Sequence, residues 1–120
     1  MNKTAQHLHT GKLGEDLAVD FVIAKGFKVL QRNWRYRRCE VDIIASKENI
    51  LHFFEVKTKT GLQIALPEAN VSAKKLDKLK EAAEAYLFSF PEWKLIQFNV
   101  IAITLFTGRQ AEIFFIEDVF

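Results

Sequence analysis

Glu40-Val41-Asp42-Ile43-Ile44-Ala45-Ser46-Lys47-Glu48-Asn49-Ile50-Leu51-His52-Phe53-Phe54-Glu55-Val56-Lys57 is the stretch whose reading decides the fold. Residues 40–45 are rich in β-branched side chains, and 50–57 are mostly apolar, so each half reads as a strand. The polar Ser46-Lys47-Glu48-Asn49 between them reads as a hairpin turn. If Glu48-Asn49 is the two-residue tip, paired positions sum to 97 and Asp42 lies directly opposite Glu55 on one face. A slip of one residue would send the two acids to opposite faces. Carboxylates inside apolar strands are costly unless they are paired or hold a cation. Opposed acids repel, with Cβ atoms about 5 Å apart, and one of them is pushed toward protonation. A divalent cation between them removes that repulsion, and hard oxygen donors suit Mg²⁺ or Mn²⁺. Lys57 shares the face of Glu55, two positions on. There it could orient or deprotonate a water, or stabilise charge on a phosphate, which suits phosphodiester hydrolysis. A plain ion pair on a partly exposed strand is the competing reading of the same three residues.

Working outward, residues 10–25 read as a helix, with Leu13, Leu17, Phe21 and Ala24 on one face, Thr10 as N-cap and Gly26 as the stop. Residues 27–34 read as a weaker strand and 35–38 as a basic connection. Residues 58–70, with Gly61 and Pro67, read as a loop. Ser72 can cap a second helix running to about Phe88, with Leu76, Leu79, Ala83, Tyr86 and Leu87 as its apolar stripe. Residues 95–105 and 111–116 read as strands joined through Thr107-Gly108-Arg109-Gln110. The order helix, three strands, helix, two strands gives an α/β or α+β domain with a mixed central sheet of about five strands. The helical crossover makes the third and fourth strands parallel.

The 120 residues amount to one domain, with residues 1–9 expected as a flexible N-terminus and 10–120 as the folded unit. Net charge is +2, so bulk charge alone does not decide whether the partner is a nucleic acid. Cys39 is the lone cysteine, which excludes an intramolecular disulfide and lacks a recognisable catalytic partner. The polar N-terminus lacks a secretory h-region, and no apolar run has membrane-spanning length. A soluble, cytoplasmic protein is the expectation. His7, His9 and His52 show no metal-ligand spacing, and no Gly-rich phosphate loop or Ser-His-Asp set is present.

The pattern Asp42 … Glu55-Val56-Lys57 resembles the PD-(D/E)xK nuclease superfamily, which includes restriction enzymes and archaeal Holliday junction resolvases. The closer resemblance, over nearly the whole chain, is to the YraN-like family of small bacterial proteins, which look like those resolvases. It rests on Gly11-Lys12-Leu13-Gly14-Glu15 with Ala18, on Gly26, on Asn33-Trp34-Arg35, on Glu40-Val41-Asp42-Ile43-Ile44, on Phe54-Glu55-Val56-Lys57-Thr58-Lys59, on Val71 with Lys74-Lys75, and on Phe98-Asn99-Val100-Ile101-Ala102-Ile103. The resemblance implies a restriction endonuclease-like α/β core with two main helices. It also implies Asp42 and Glu55 as metal ligands with the Val56 carbonyl as a third, Lys57 as the catalytic lysine, and Glu15 as a helical acid completing the site. Cys39 stands where the family usually has Gly, and Asn99 where it often has Asp.

Arg35, Arg37 and Arg38, interleaved with Trp34 and Tyr36, together with Lys59, Lys74 and Lys75, are the candidate nucleic-acid contacts. A solvated strand end and a wet helix face are the plain alternatives. Three readings follow: a Mg²⁺- or Mn²⁺-dependent endonuclease acting on DNA, with branched DNA as one candidate substrate; a nucleic-acid-binding module on a nuclease fold with little or no catalysis; or a partner-binding domain that inherited the fold. A homodimer is implied only by analogy with resolvases.

Overall fold

The computed structural model describes residues 3–61 and 72–120, with side chains from residue 9 onward. The order is α1 (Lys3–Ala24), β1 (Lys28–Tyr36), β2 (Cys39–Lys47), β3 (Ile50–Thr60), α2 (Ala73–Ser89), β4 (Leu95–Phe106) and β5 (Arg109–Ile116). The strands form one five-stranded sheet in sequence order, antiparallel except for the parallel pair β3–β4. This is the expected α/β architecture, including the parallel pair that the helical crossover demands. Among the described residues no helix is long and apolar enough to cross a membrane.

The two helices lie on opposite faces of the sheet. Ala18 and Val22 of α1 pack with Phe27, Ile43, Phe54, Ile101 and Ile103. Leu79, Ala82, Ala83 and Tyr86 of α2 pack with Val41, Ile44, Leu51, Phe53 and Phe98. Both cores are rich in aromatic rings, with Phe27 edge-on to Phe54 and Phe53 stacked on Phe98.

Several boundaries differ from the sequence reading. α1 is already helical at Lys3, so Thr10 lies within it rather than at its cap. Its expected stripe is also rotated. Leu17 and Phe21 pack partly buried against the core as expected, but Leu13 and Ala24 face solvent, and the buried line is Gly14, Ala18 and Val22. Small residues win the centre of that contact because they let the helix backbone come close. A Cβ on Gly14 would overlap the Thr58 side chain of β3. β1 continues through Tyr36, so only Arg37-Arg38 makes the connection to β2, with Arg37 at φ 55°. β3 extends to Thr60, three residues into the expected loop, and residues 62–70 of that loop lie outside the described residues. Ser72 caps α2 as expected, its hydroxyl accepting from the Lys75 N–H at 3.2 Å.

Candidate active site

The β2–β3 hairpin turns on Glu48-Asn49, both at positive φ (52° and 66°), the geometry of a two-residue turn. The register sums to 97 as expected, from Lys47↔Ile50 to Ile43↔Phe54. The ladder stops one pair short of Asp42 and Glu55. β2 stays paired with β1 as far as Tyr36↔Cys39, and β3 with β4 as far as Thr60↔Leu105. The sheet therefore forks between β2 and β3, and the two acids stand at the mouth of the fork.

β2 itself changes face there. Val41 belongs to the α2 core, whereas Ile43 belongs to the α1 core, although strict alternation would put both on one side. Across from this break, between the pairs Arg32↔Ile43 and Trp34↔Val41, Asn33 sits at φ 52° in the middle of β1. Asparagine tolerates that left-handed conformation better than most residues. The kink turns Asp42 into the fork. Its Oδ2 accepts a hydrogen bond from the Val56 N–H at 2.7 Å. The N–H and C=O of one strand residue point to the same side, so the Val56 carbonyl also faces the fork.

The site is crowded with negative charge. Burial lifts the Asp42 pKa from 3.8 to about 8, aided by the charges of Glu55, Glu15 and Glu40 and opposed by the Val56 N–H. Glu15 comes from α1, lowered toward the fork by the close approach of Gly14 to Thr58. Its Oε1 is buried without a hydrogen-bond partner, and its cationic neighbour Arg32 lies at 3.7 Å. Arg32 bonds instead to Asp16 at 2.8 Å. Glu40 turns outward to Arg35 at 3.2 Å.

From the α2 side come the cations. Lys75 Nζ bonds Glu55 Oε1 at 3.2 Å. The Lys57 amine lies within hydrogen-bonding reach of Lys75. That bond, burial and the Lys75 charge hold Lys57 below the ordinary lysine range, against the pull of Glu55 and Asp42.

The structure thus brings Glu15, Asp42, Glu55, Lys57 and Lys75 together. Lys75, expected as a nucleic-acid contact, is a neighbour of the acids, and nothing in the helical pattern of its lysines signals that. Arg37 and Arg38 form the exposed hairpin tip, Arg37 lying over the Tyr36 ring at 5.2 Å. Arg35 is exposed on β1, Lys74 is exposed in the first turn of α2, and Lys59 is half-buried on β3. Arg32 steadies the acids of α1 and Asn33 makes the kink. Asn33 stands in the Asn33-Trp34-Arg35 motif and Arg32 in the basic cluster before β2, but neither reads from the sequence as a support for the acids. Asn99 and Cys39 lie elsewhere. Asn99 is fully buried, bonding His52 Nδ1 at 3.0 Å and accepting from Gln97 and the Asp118 N–H, while burial raises the Cys39 thiol.

Among the described residues no three His, Cys, Asp or Glu side chains converge closely enough to cage a cation alone. The donor set still fits a hard divalent ion. Mg²⁺ is commonly held by one or two carboxylates with water filling its other positions. Here Asp42 and Glu55 would supply the pair, and the orphaned Glu15 Oε1 is an acceptor without a hydrogen-bond donor.

Comparison with known proteins gives the lineage. A UPF0102 protein of Flavobacterium johnsoniae is 43% identical over 103 residues, covering 82% of this chain and 84% of that protein. A UPF0102 protein of Dictyoglomus thermophilum is 42% identical over 79% of this chain and 81% of its own length. One of Rhodococcus opacus is 37% identical over 97% and 99%. The model of the uncharacterised protein family UPF0102 matches residues 14–103, from the glycine of α1 that meets Thr58 through the end of the apolar run of β4. The chain therefore belongs to the UPF0102 family, the YraN-like group that its sequence motifs resemble.

Proposed function

We propose that this chain hydrolyses phosphodiester bonds in DNA with the help of Mg²⁺ or Mn²⁺, as a resolvase-like endonuclease. The observation that carries the proposal is Asp42. A carboxyl group pushed by burial, and by the charges of Glu55 and Glu15, to a pKa of about 8 is an expensive arrangement for a fold to keep. It becomes favourable when a dication enters. Clusters of carboxylates and lysines with perturbed pKa values are candidates for functional sites.

Asp42 and Glu55 would hold the ion, the Val56 carbonyl offers a third oxygen, and Glu15 a further one directly or through water. When bound, a divalent cation neutralises phosphate charge and makes water a better nucleophile. Lys57 is the residue suited to handle the proton. Its amine is held below the ordinary lysine range, so it can take or give a proton nearer neutral pH than a free lysine, and it shares the face of Glu55. Arg35, Arg37 and Arg38 on the β1–β2 hairpin, with Lys59 and Lys74, would hold the backbone phosphates of a substrate.

The test is cleavage of linear, flapped and four-way DNA in Mg²⁺ and in Mn²⁺, with Glu55→Ala and Lys57→Ala as controls. Cleavage by the wild type that both variants lose supports the proposal. Binding without cleavage across the panel would instead support a nucleic-acid-binding module on a nuclease fold.

A further inference from the structure

The first turn of α2 is built against its own electrostatics. Ser72 is the cap, Ala73 the first helical residue, and Lys74 and Lys75 the next two, with no acid among them. The start of a helix is its positive end, where cations are disfavoured and anions welcome. Helix stability therefore does not explain Lys75. Its neighbours do. The Lys75 ammonium lies 3.2 Å from Glu55 Oε1 and within reach of the Lys57 amine. The Glu55 side chain is only 16% exposed, whereas that of Lys75 is 47% exposed. The acid is fixed in the fork, and the lysine approaches it from solvent on a long flexible stem.

Glu55 is one of the two carboxylates read above as cation ligands, so its negative charge is shared with a cation that the chain itself provides. An ammonium and a dication on one carboxylate repel each other strongly at such separation. The two occupants are alternatives. Lys75 has somewhere to go, because nearly half of its side chain is already in solvent. Glu55 has not.

We propose, on the basis of the metal-dependent reading above, that Lys75 is a resident counter-ion of Glu55 that a divalent cation must displace. In the metal-free protein Lys75 compensates one acid of the fork and keeps the site from carrying its full negative charge. When the ion arrives the ammonium swings off Glu55 toward the mouth of the site, the side from which a phosphate would approach. Metal affinity is thereby weakened by a built-in competitor. An anionic substrate that gives the displaced lysine a new partner strengthens it again, so cation and nucleic acid bind cooperatively.

Isothermal titration with Mn²⁺ tests this on the full chain and three variants. Lys75→Met, which keeps the length of the stem and removes the charge, is expected to bind Mn²⁺ five- to tenfold more tightly than wild type. Lys75→Arg, which keeps a cation on Glu55, and Lys78→Met, which removes a charge one turn along the same helix, are expected within twofold of wild type. Binding by Lys75→Met where the wild type shows none supports the proposal equally. If the wild type binds and Lys75→Met is no tighter, or if Lys78→Met tightens binding as much, the counter-ion role is overturned while the metal site stands. If none of the four chains binds Mn²⁺, both the metal-dependent reading and the counter-ion role fall. Lys75→Arg also separates a folding defect from a charge effect, since it preserves the ion pair.

Discussion

Asp42 Oδ2 and the backbone N–H of Val56 meet at 2.7 Å across a gap where a backbone ladder would otherwise run. A side chain has taken the place of a strand-to-strand bond, and the residue it holds lies between Glu55 and Lys57. The bond both opens the fork and ties the two halves of the site together. It also defines how Asp42 can be tested, because a substitution must keep an acceptor for Val56.

Asparagine does so. In the metal-free protein the folded chain keeps a proton on Asp42 up to about pH 8, whereas the unfolded chain loses it near the ordinary value of 3.8. Between those values the unfolded state binds fewer protons, so stability falls as pH rises, by at most about 1.4 kcal/mol per pH unit, and levels off above about pH 8. Denaturant unfolding in EDTA at pH 6 and pH 8 should show the wild type losing up to about 2 kcal/mol more than Asp42→Asn. Equal losses in the two chains would mean that Asp42 is ionised throughout.

Lys57 is expected to act in turnover and not in holding the metal. Lys57→Ala should lower single-turnover cleavage by about 100-fold or more and leave Mn²⁺ affinity no weaker. Lys57→Arg should not restore the rate, because a guanidinium does not give up its proton. Full activity in the arginine variant would reduce Lys57 to a positive charge.

Gly14→Ala opposes two effects of known size. Alanine in a helix gains about 1 kcal/mol over glycine, but its methyl would overlap Thr58, and overpacking costs about 1–3 kcal/mol. We expect net destabilisation, and weaker Mn²⁺ binding as Glu15 is lifted from the fork. Gly11→Ala is the contrast. It lies in the same helix with open space around it, and should gain about 0.5–1 kcal/mol. Melting temperatures that move the same way in both variants would refute the close approach.

The Arg37-Arg38 tip is read as a binder of backbone phosphates. Replacing both with Ala should reduce the slope of log affinity against log salt by about 0.9 for each duplex-DNA phosphate that the tip no longer neutralises. The effect should be similar across DNA sequences. An unchanged slope would leave the tip as a solvated turn.

Much of the fold is legible in the sequence, and what is not has definite causes. The Glu48-Asn49 turn sets the register, so the opposition of Asp42 and Glu55 can be counted out from the tip, and it holds for five consecutive pairs. It fails at the sixth because β2 switches faces at Asp42 opposite the left-handed Asn33, and alternation of apolar residues does not announce a kink. Periodicity finds Leu17 and Phe21 of the α1 stripe but misses its centre, because it weights large side chains whereas Gly14 and Ala18 set the closest contact. Lys75 reads as one lysine of a wet helix face, and only the way α2 crosses β3 puts it on Glu55. The network joining Asn99 to His52 is invisible for a similar reason, since its partners are 47 residues apart.

The parallel pairing of β3 with β4 has a consequence for how the site is made. Asp42 and Glu55 belong to one hairpin, a local element of the kind that closes in microseconds. Their burial waits for β4, which returns only after the chain has travelled around α2, and such non-local pairings form late. We therefore expect the electrostatic penalty at Asp42 to fall after the folding transition state. A cation that binds only the closed site should slow unfolding and leave the folding rate almost untouched. Stopped-flow chevrons with and without Mn²⁺ would read this as a shift of the unfolding limb alone.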